Sequence, residues 1–131
     1  MASELLVLAL GAVLLVVHVL VAAHAKTRQF GLEWNMGARD EDTGELEDIA
    51  GRLERASANF RETYPVAIVA LGGLVIAETT TALTAIAAWV WLGARVVYLP
   101  VYWAGIARIR TVIWAVSLLA LLFALGVLVL G

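Results

Sequence analysis

Residues 51–77 read GRLERASANFRETYPVAIVALGGLVIA, and they change character at Pro65: Arg52, Glu54, Arg55, Asn59, Arg61 and Glu62 come before it, and a wholly apolar run follows. The rest of the chain says what solvent this segment must meet. Of the 131 residues, 63% are hydrophobic, the mean hydropathy is +0.92, and the apolar residues form continuous runs without strand-like alternation. Those runs call for lipid. A bilayer core of about 30 Å takes roughly 20 apolar helical residues to cross, and 66–77 is too short alone. This crossing therefore takes its lower turns from the charged half.

Working outward, residues 5–25 supply a first apolar run, 82–99 a third that is interrupted by Arg95, and 111–130 a fourth. The expectation is one domain over 1–131. It is an all-α integral membrane protein, a four-transmembrane-helix bundle with helices at about 4–25, 47–77, 81–102 and 108–130 and a loop at about 26–46. Continuous apolar runs exclude a transmembrane β-barrel, which alternates. Ala23-His24-Ala25 has the look of a signal-peptide cleavage site, but the first four residues carry no positive charge and the apolar stretch exceeds 7–15 residues. The first run is read as a retained helix.

Orientation follows the basic residues. Lys26, Arg28, Arg39, Arg52, Arg55 and Arg61 fall between the first and second apolar runs, and Arg95, Arg108 and Arg110 gather near the junction of the third and fourth. Residues 78–81 and both termini have none. Both termini are therefore expected on the non-cytoplasmic side. The net charge of -2 is no guide, because Asp40, Glu41, Asp42, Glu45, Glu47 and Asp48 lie in the same loop as several bases and acids count for little in topology. These acids solvate the loop and favour the positive end of the next helix; their spacing matches no calcium loop.

At 100° per residue, Arg52, Arg55, Asn59 and Glu62 fall within an arc of roughly 80°. They make one polar stripe on the cytoplasmic half of the second helix, with Pro65 bending the helix where it turns apolar. Arg95, Tyr98 and Tyr102 make a second stripe at i, i+3, i+7, and Arg108 and Arg110 follow at the start of the fourth helix. All lie at one depth. Arginines and tyrosines at membrane edges commonly snorkel or anchor, and any one of them alone reads that way. Asn59 and Glu62 are not anchors, and ionised groups near the bilayer cost up to about 2.5–3.5 kcal/mol each at its centre. The constellation reads as a polar pocket shared among helices.

The pattern Arg55-x-x-x-Asn59-x-x-Glu62-x-x-Pro65, then Arg95-x-x-Tyr98-x-x-x-Tyr102 and Arg110, resembles the MAPEG family, membrane-associated proteins in eicosanoid and glutathione metabolism, over nearly the whole chain. The resemblance implies a homotrimer with glutathione as co-substrate, bound between subunits on the cytoplasmic side. It implies that Arg55, Asn59 and Glu62 hold the polar ends of the tripeptide, that Tyr98 and Tyr102 add hydrogen bonds with Arg95 nearby in the binding set, and that Arg52 offers a carboxylate contact. It also implies a thiol-activating arginine at the start of the fourth helix, where Arg110 fits the IRTVIW context and Arg108 competes. Thr63 stands where some members carry tyrosine, with Tyr64 next, and the long acidic first loop is more like bacterial members. A bacterial inner membrane, membrane lipid and a lipophilic small-molecule substrate are implied; nucleic acid is not.

The chain has no cysteine, so thiol chemistry has to come from a bound thiol. Lowering a reference thiol pKa of about 8.5 by two units takes about 2.7 kcal/mol, and a guanidinium about 4 Å away at an effective dielectric near 20 supplies roughly 4 kcal/mol before desolvation. One arginine suffices. The function expected on this resemblance is a glutathione transferase or peroxidase in which Arg110 stabilises the thiolate and Tyr98 or Tyr102 hydrogen-bonds it or gives a proton. His18 and His24 have no third ligand in sequence reach, so no metal site is expected; His18 is read as a packing or hydrogen-bonded residue. Trp89, Trp91, Trp103 and Trp114 are read as belt or packing aromatics, Glu78 as the end of the second helix, and Gly72 and Gly73 as points of close helix contact.

Two other classes compete. A small multidrug-type transporter also has four short helices, but it needs an ionisable residue deep in a span, and the first helix offers only His18 while the fourth offers none. A non-catalytic binding or assembly protein on the same scaffold would hold its ligand with an inert thiol.

Overall fold

The computed structural model describes residues 1–40 and 43–131. Glu41 and Asp42, two of the acids in the first loop, lie outside the described residues. The elements are helices α1 (Ser3–Phe30), α2 (Leu32–Met36) and α3 (Asp48–Ala67), a π-helical turn (Ile68–Gly72), then α4 (Gly73–Ile76), α5 (Ala82–Trp103) and α6 (Ala107–Leu130). The chain is all-helical among the described residues. Helices α1, α5 and α6 are long and apolar enough to cross a membrane. The fourth rod of the bundle is α3 continued through the π turn into α4, and the charged residues of its first half set it apart from the other three.

The long helices each bury one stripe. In α5 the buried positions are Thr84, Ala87, Ala88, Trp91, Leu92, Arg95, Tyr98 and Tyr102, and in α1 they are Glu4, Val7, Leu8, Gly11, Leu14, His18 and Ala22. Both follow the three-and-four spacing of a single helix face. The opposite faces expose Val13, Val16, Leu20, Leu83 and Ile86, as expected of helices whose outer surface meets lipid. Packing inside is tight. A Cβ added at Gly11 would lie 2.9 Å from the Tyr64 ring and 3.1 Å from Trp91, and one at Gly73 would lie 2.5 Å from Leu128. At Gly72 the nearest neighbour would be an ordinary 3.6 Å away, so of the glycine pair only Gly73 is required by close contact.

Pro65 does not end the second rod. It lacks the N–H that would bond one turn back, and the ladder is rearranged shortly afterwards into the π turn at Ile68–Gly72. The rod stops at Ile76, where Thr79 N–H donates to the Leu74 carbonyl at 3.0 Å and Glu78 takes φ of +56°. This is the left-handed closure that commonly ends helices.

Thr81 then caps α5. Its hydroxyl accepts from Thr84 N–H at 3.2 Å while the Thr81 N–H donates to the Thr84 hydroxyl at 2.7 Å, a reciprocal capping box. The same Thr84 hydroxyl lies 2.6 Å from a carboxylate oxygen of buried Glu4. It thereby ties the start of α1 to the start of α5.

The stretch at 26–46 is less open than its composition suggests. Helix α1 continues to Phe30 and stops at Gly31, where φ is +98°, and α2 follows. The Asn35 amide donates to the Thr27 hydroxyl at 2.7 Å, Gln29 bonds the backbone of both Glu45 and Glu47, and Arg39 lies over the Trp34 ring at 4.6 Å. Side chains of turn-forming polar residues thus fold the connection back onto the end of α1.

Candidate functional site

Helices α3, α5 and α6 meet at the end of the bundle that holds the start of α3. Their facing side chains leave an open cleft of about 410 Å³. It is lined by Arg55, Ala58, Asn59 and Glu62 from α3, Tyr98 and Tyr102 from α5, and Arg110, Thr111 and Trp114 from α6. The helical spacing explains the grouping, since 55, 58, 59 and 62 fall on one face of α3 and 110, 111 and 114 on one face of α6.

The polar groups are interlocked. Arg55 Nε donates to the Tyr102 hydroxyl at 3.2 Å, and the Arg110 guanidinium sits over the Tyr102 ring, 4.6 Å from its centroid. Tyr98 packs edge-on against Tyr102 with centroids 5.5 Å apart. Behind them Arg95 is fully buried. Its Nη1 donates to the Asn59 side-chain oxygen at 2.9 Å, and its guanidinium lies 4.2 Å from the Tyr98 ring and 5.2 Å from the Phe60 ring. These cation–π contacts and one hydrogen bond are the partners of Arg95; its Nε and Nη2 make no hydrogen bond, and no ion pair reaches it among the described residues.

Of the residues singled out in the sequence, the cleft gathers Arg55, Asn59, Glu62, Tyr98, Tyr102 and Arg110. Three stand apart. Arg52 points past the cleft to the end of α5, where it donates to the Trp103 carbonyl at 3.4 Å and closes on Gly105; the carbonyls of a helix's last turn lack intrahelical partners, and a cation there meets the negative end of the dipole. Arg108 is exposed and outside the lining, because two residues along a helix turn a side chain by about 200°. Arg95 supports the lining from behind.

Sequence reasoning missed Thr111 and Trp114. Trp114 packs against Ala56, Tyr98 and Tyr102, in keeping with its reading as a belt or packing aromatic, and it also lines the cleft; it lies one turn beyond Arg110 on the same face, and that i, i+4 relation was the available signal. His18 is buried and makes no hydrogen bond among the described residues; it stacks on Phe60 with centroids 4.9 Å apart. It is the first ring of a column that continues through Phe60, Tyr64 and Trp91.

The cleft is rich in cations. Arg110 lies in the first turn of α6, where the helix dipole is positive and an arginine is disfavoured by about 0.3–1 kcal/mol. The Ile106 cap supplies no side-chain hydrogen bond there. Arg110 and Arg55 give the lining two cations against the one carboxylate of Glu62, a balance that suits an anion.

A family model describing the MAPEG family matches residues 3–130. The chain belongs to the MAPEG family. No curated protein and no solved structure matches it significantly. MAPEG membership covers glutathione transferases and peroxidases as well as non-catalytic members, and members of the family generally use glutathione. Arg55 and Arg110 are the two guanidiniums of the lining, Glu62 is its carboxylate, and Asn59, Thr111 and the two tyrosines are among its neutral polar groups.

Proposed function

We propose that this MAPEG protein is a membrane-bound glutathione transferase or peroxidase. The observation that carries the reading is the position of Arg110, stacked on Tyr102 at the mouth of a cleft whose other polar groups match a zwitterionic tripeptide. Arg55, Asn59 and Glu62 bind the ends of glutathione, Tyr98 and Tyr102 add hydrogen bonds, and Arg110 holds the sulfur as thiolate. At about 4 Å a guanidinium supplies roughly 4 kcal/mol toward that ionisation before desolvation.

With an electrophilic carbon, the thiolate forms a C–S bond and the leaving group departs with its electron pair. With a hydroperoxide, it attacks the distal oxygen, the O–O bond breaks, and the alkoxide takes a proton. We assign that proton to Tyr102, whose oxygen accepts from Arg55, an arrangement that leaves its O–H to donate elsewhere. A second glutathione then converts the sulfenic acid to a disulfide and water.

Arg55 and Glu62 are exposed in the single chain, which suits a pocket completed by a neighbouring copy. We take the working assembly to be a homotrimer in a bacterial inner membrane, with both termini on the non-cytoplasmic side, the cleft on the cytoplasmic side and the lipophilic substrate arriving from lipid. The test is turnover by detergent-purified protein of glutathione with a lipophilic aryl halide and with a fatty-acid hydroperoxide. Product formation that requires Arg110 supports the enzyme; tight glutathione binding with no turnover of either class points to a non-catalytic member.

A further inference from the structure

Arginine carries five N–H donors and no acceptor, whereas an asparagine amide and a tyrosine hydroxyl each offer both. A neutral group hydrogen-bonded to a guanidinium must therefore give that bond its oxygen. Asn59 does so to the fully buried Arg95, at 2.9 Å, and Tyr102 does so to Arg55, at 3.2 Å.

We infer that these two arginines fix the hydrogen-bond polarity of the cleft, with Arg95 acting as a positioning residue that turns the Asn59 NH₂ group toward the ligand and Arg55 leaving the Tyr102 O–H free to donate. Arg95 itself is not part of the cleft lining. Glu62 is then the single strong acceptor among the lining side chains, opposite a set of donors, and the site selects ligand groups that accept: carboxylate, peptide carbonyl and thiolate. The burial of Arg95 makes the arrangement one-way. Its Nε and Nη2 have no hydrogen-bond partner among the described residues, so rotating Asn59 to present NH₂ to the guanidinium would set donor against donor and remove the one hydrogen bond seen for this charge among them. Such a loss is costly in a buried setting.

This inference rests on glutathione being the ligand, and the experiment separates the two questions. Glutathione affinity and thermal unfolding are measured on full-length protein in detergent for the parent, Asn59→Asp, Arg95→Lys and Arg95→Gln. Asn59→Asp keeps an oxygen toward Arg95 and places a second, acceptor-only oxygen where the donor was. Its unfolding temperature is expected to hold or rise while glutathione affinity falls about tenfold to a hundredfold. Arg95→Lys remains donor-only and is expected to retain affinity within about threefold, whereas Arg95→Gln lets Asn59 turn either way and is expected to lose about tenfold.

A folded Asn59→Asp protein that binds as tightly as the parent, or a folded Gln variant that matches the Lys variant, overturns the inference. A parent that binds no glutathione overturns the functional reading on which it rests. If Arg95→Gln does not fold, the Asn59→Asp comparison decides alone.

Discussion

The Arg110 guanidinium lies over the face of the Tyr102 ring, 4.6 Å from its centroid, and the same ring's hydroxyl accepts from Arg55. One tyrosine thus joins a cation from α6 to a cation from α3. Among the described residues neither arginine pairs with a carboxylate, and the tyrosine serves both: the electron-rich ring face takes one and the oxygen lone pair takes the other.

If Arg110 acts on the thiolate, its loss should be felt in turnover more than in affinity. Arg110→Ala is expected to lower kcat by about a hundredfold or more, the scale of removing one electrostatic stabiliser of a developing charge, with glutathione Kd changed only a few-fold. Arg108→Ala, at an exposed position outside the cleft, is expected to change kcat less than twofold. Steady-state kinetics on both variants check this, and the reverse ranking reassigns the role to Arg108.

Core packing gives a second expectation. The Tyr64 hydroxyl lies 2.6 Å from the Leu8 carbonyl oxygen, and Gly11 leaves room for the Tyr64 and Trp91 rings. Tyr64→Phe is expected to cost about 1 kcal/mol. Gly11→Ala is expected to cost about 1–3 kcal/mol, because the rings have to shift. Denaturant titration in mixed micelles reads both.

At the other end of the bundle the Glu4–Thr84 contact is buried. Glu4→Ala leaves the Thr84 hydroxyl without its partner on α1, and stability is expected to fall by about 1–3 kcal/mol with glutathione affinity unchanged. Parallel unfolding and binding measurements separate a tie of this kind from a part in the cleft.

A chain without cysteine permits clean topology mapping. Single-cysteine variants at Ser3 and Thr43 are expected to react with a membrane-impermeant maleimide from opposite sides of the membrane, Ser3→Cys from the outside of intact cells and Thr43→Cys only after lysis. Labelling of Thr43→Cys in intact cells would invert the orientation.

Much of this molecule was legible in its sequence because lipid imposes length and continuity on apolar runs. The four-helix class follows from them, and the MAPEG family from the Arg55, Asn59, Glu62 and Arg95, Tyr98, Tyr102 patterns. Direction within the polar stripe was harder to read. Arg52 shares an arc with Arg55, yet it is taken up by the Trp103 carbonyl, a tertiary contact that helical periodicity does not encode. The π turn after Pro65 was invisible for a similar reason: a proline announces a disturbed ladder but not how the chain repairs it. Trp114 does pack, as its type suggests, but only the approach of α6 to α5 brings it into the cleft. The role of Arg95 depended on its burial and on the orientation of Asn59, neither of which a linear pattern carries.

The most direct test of the account is calorimetric titration of glutathione into the detergent-purified protein, comparing the parent with Arg55→Ala and Glu62→Ala. Saturable binding by the parent, weakened about tenfold or more in each folded variant, is the expected result. A folded parent that shows no heat of binding at millimolar glutathione, or variants that bind as the parent does, would contradict it.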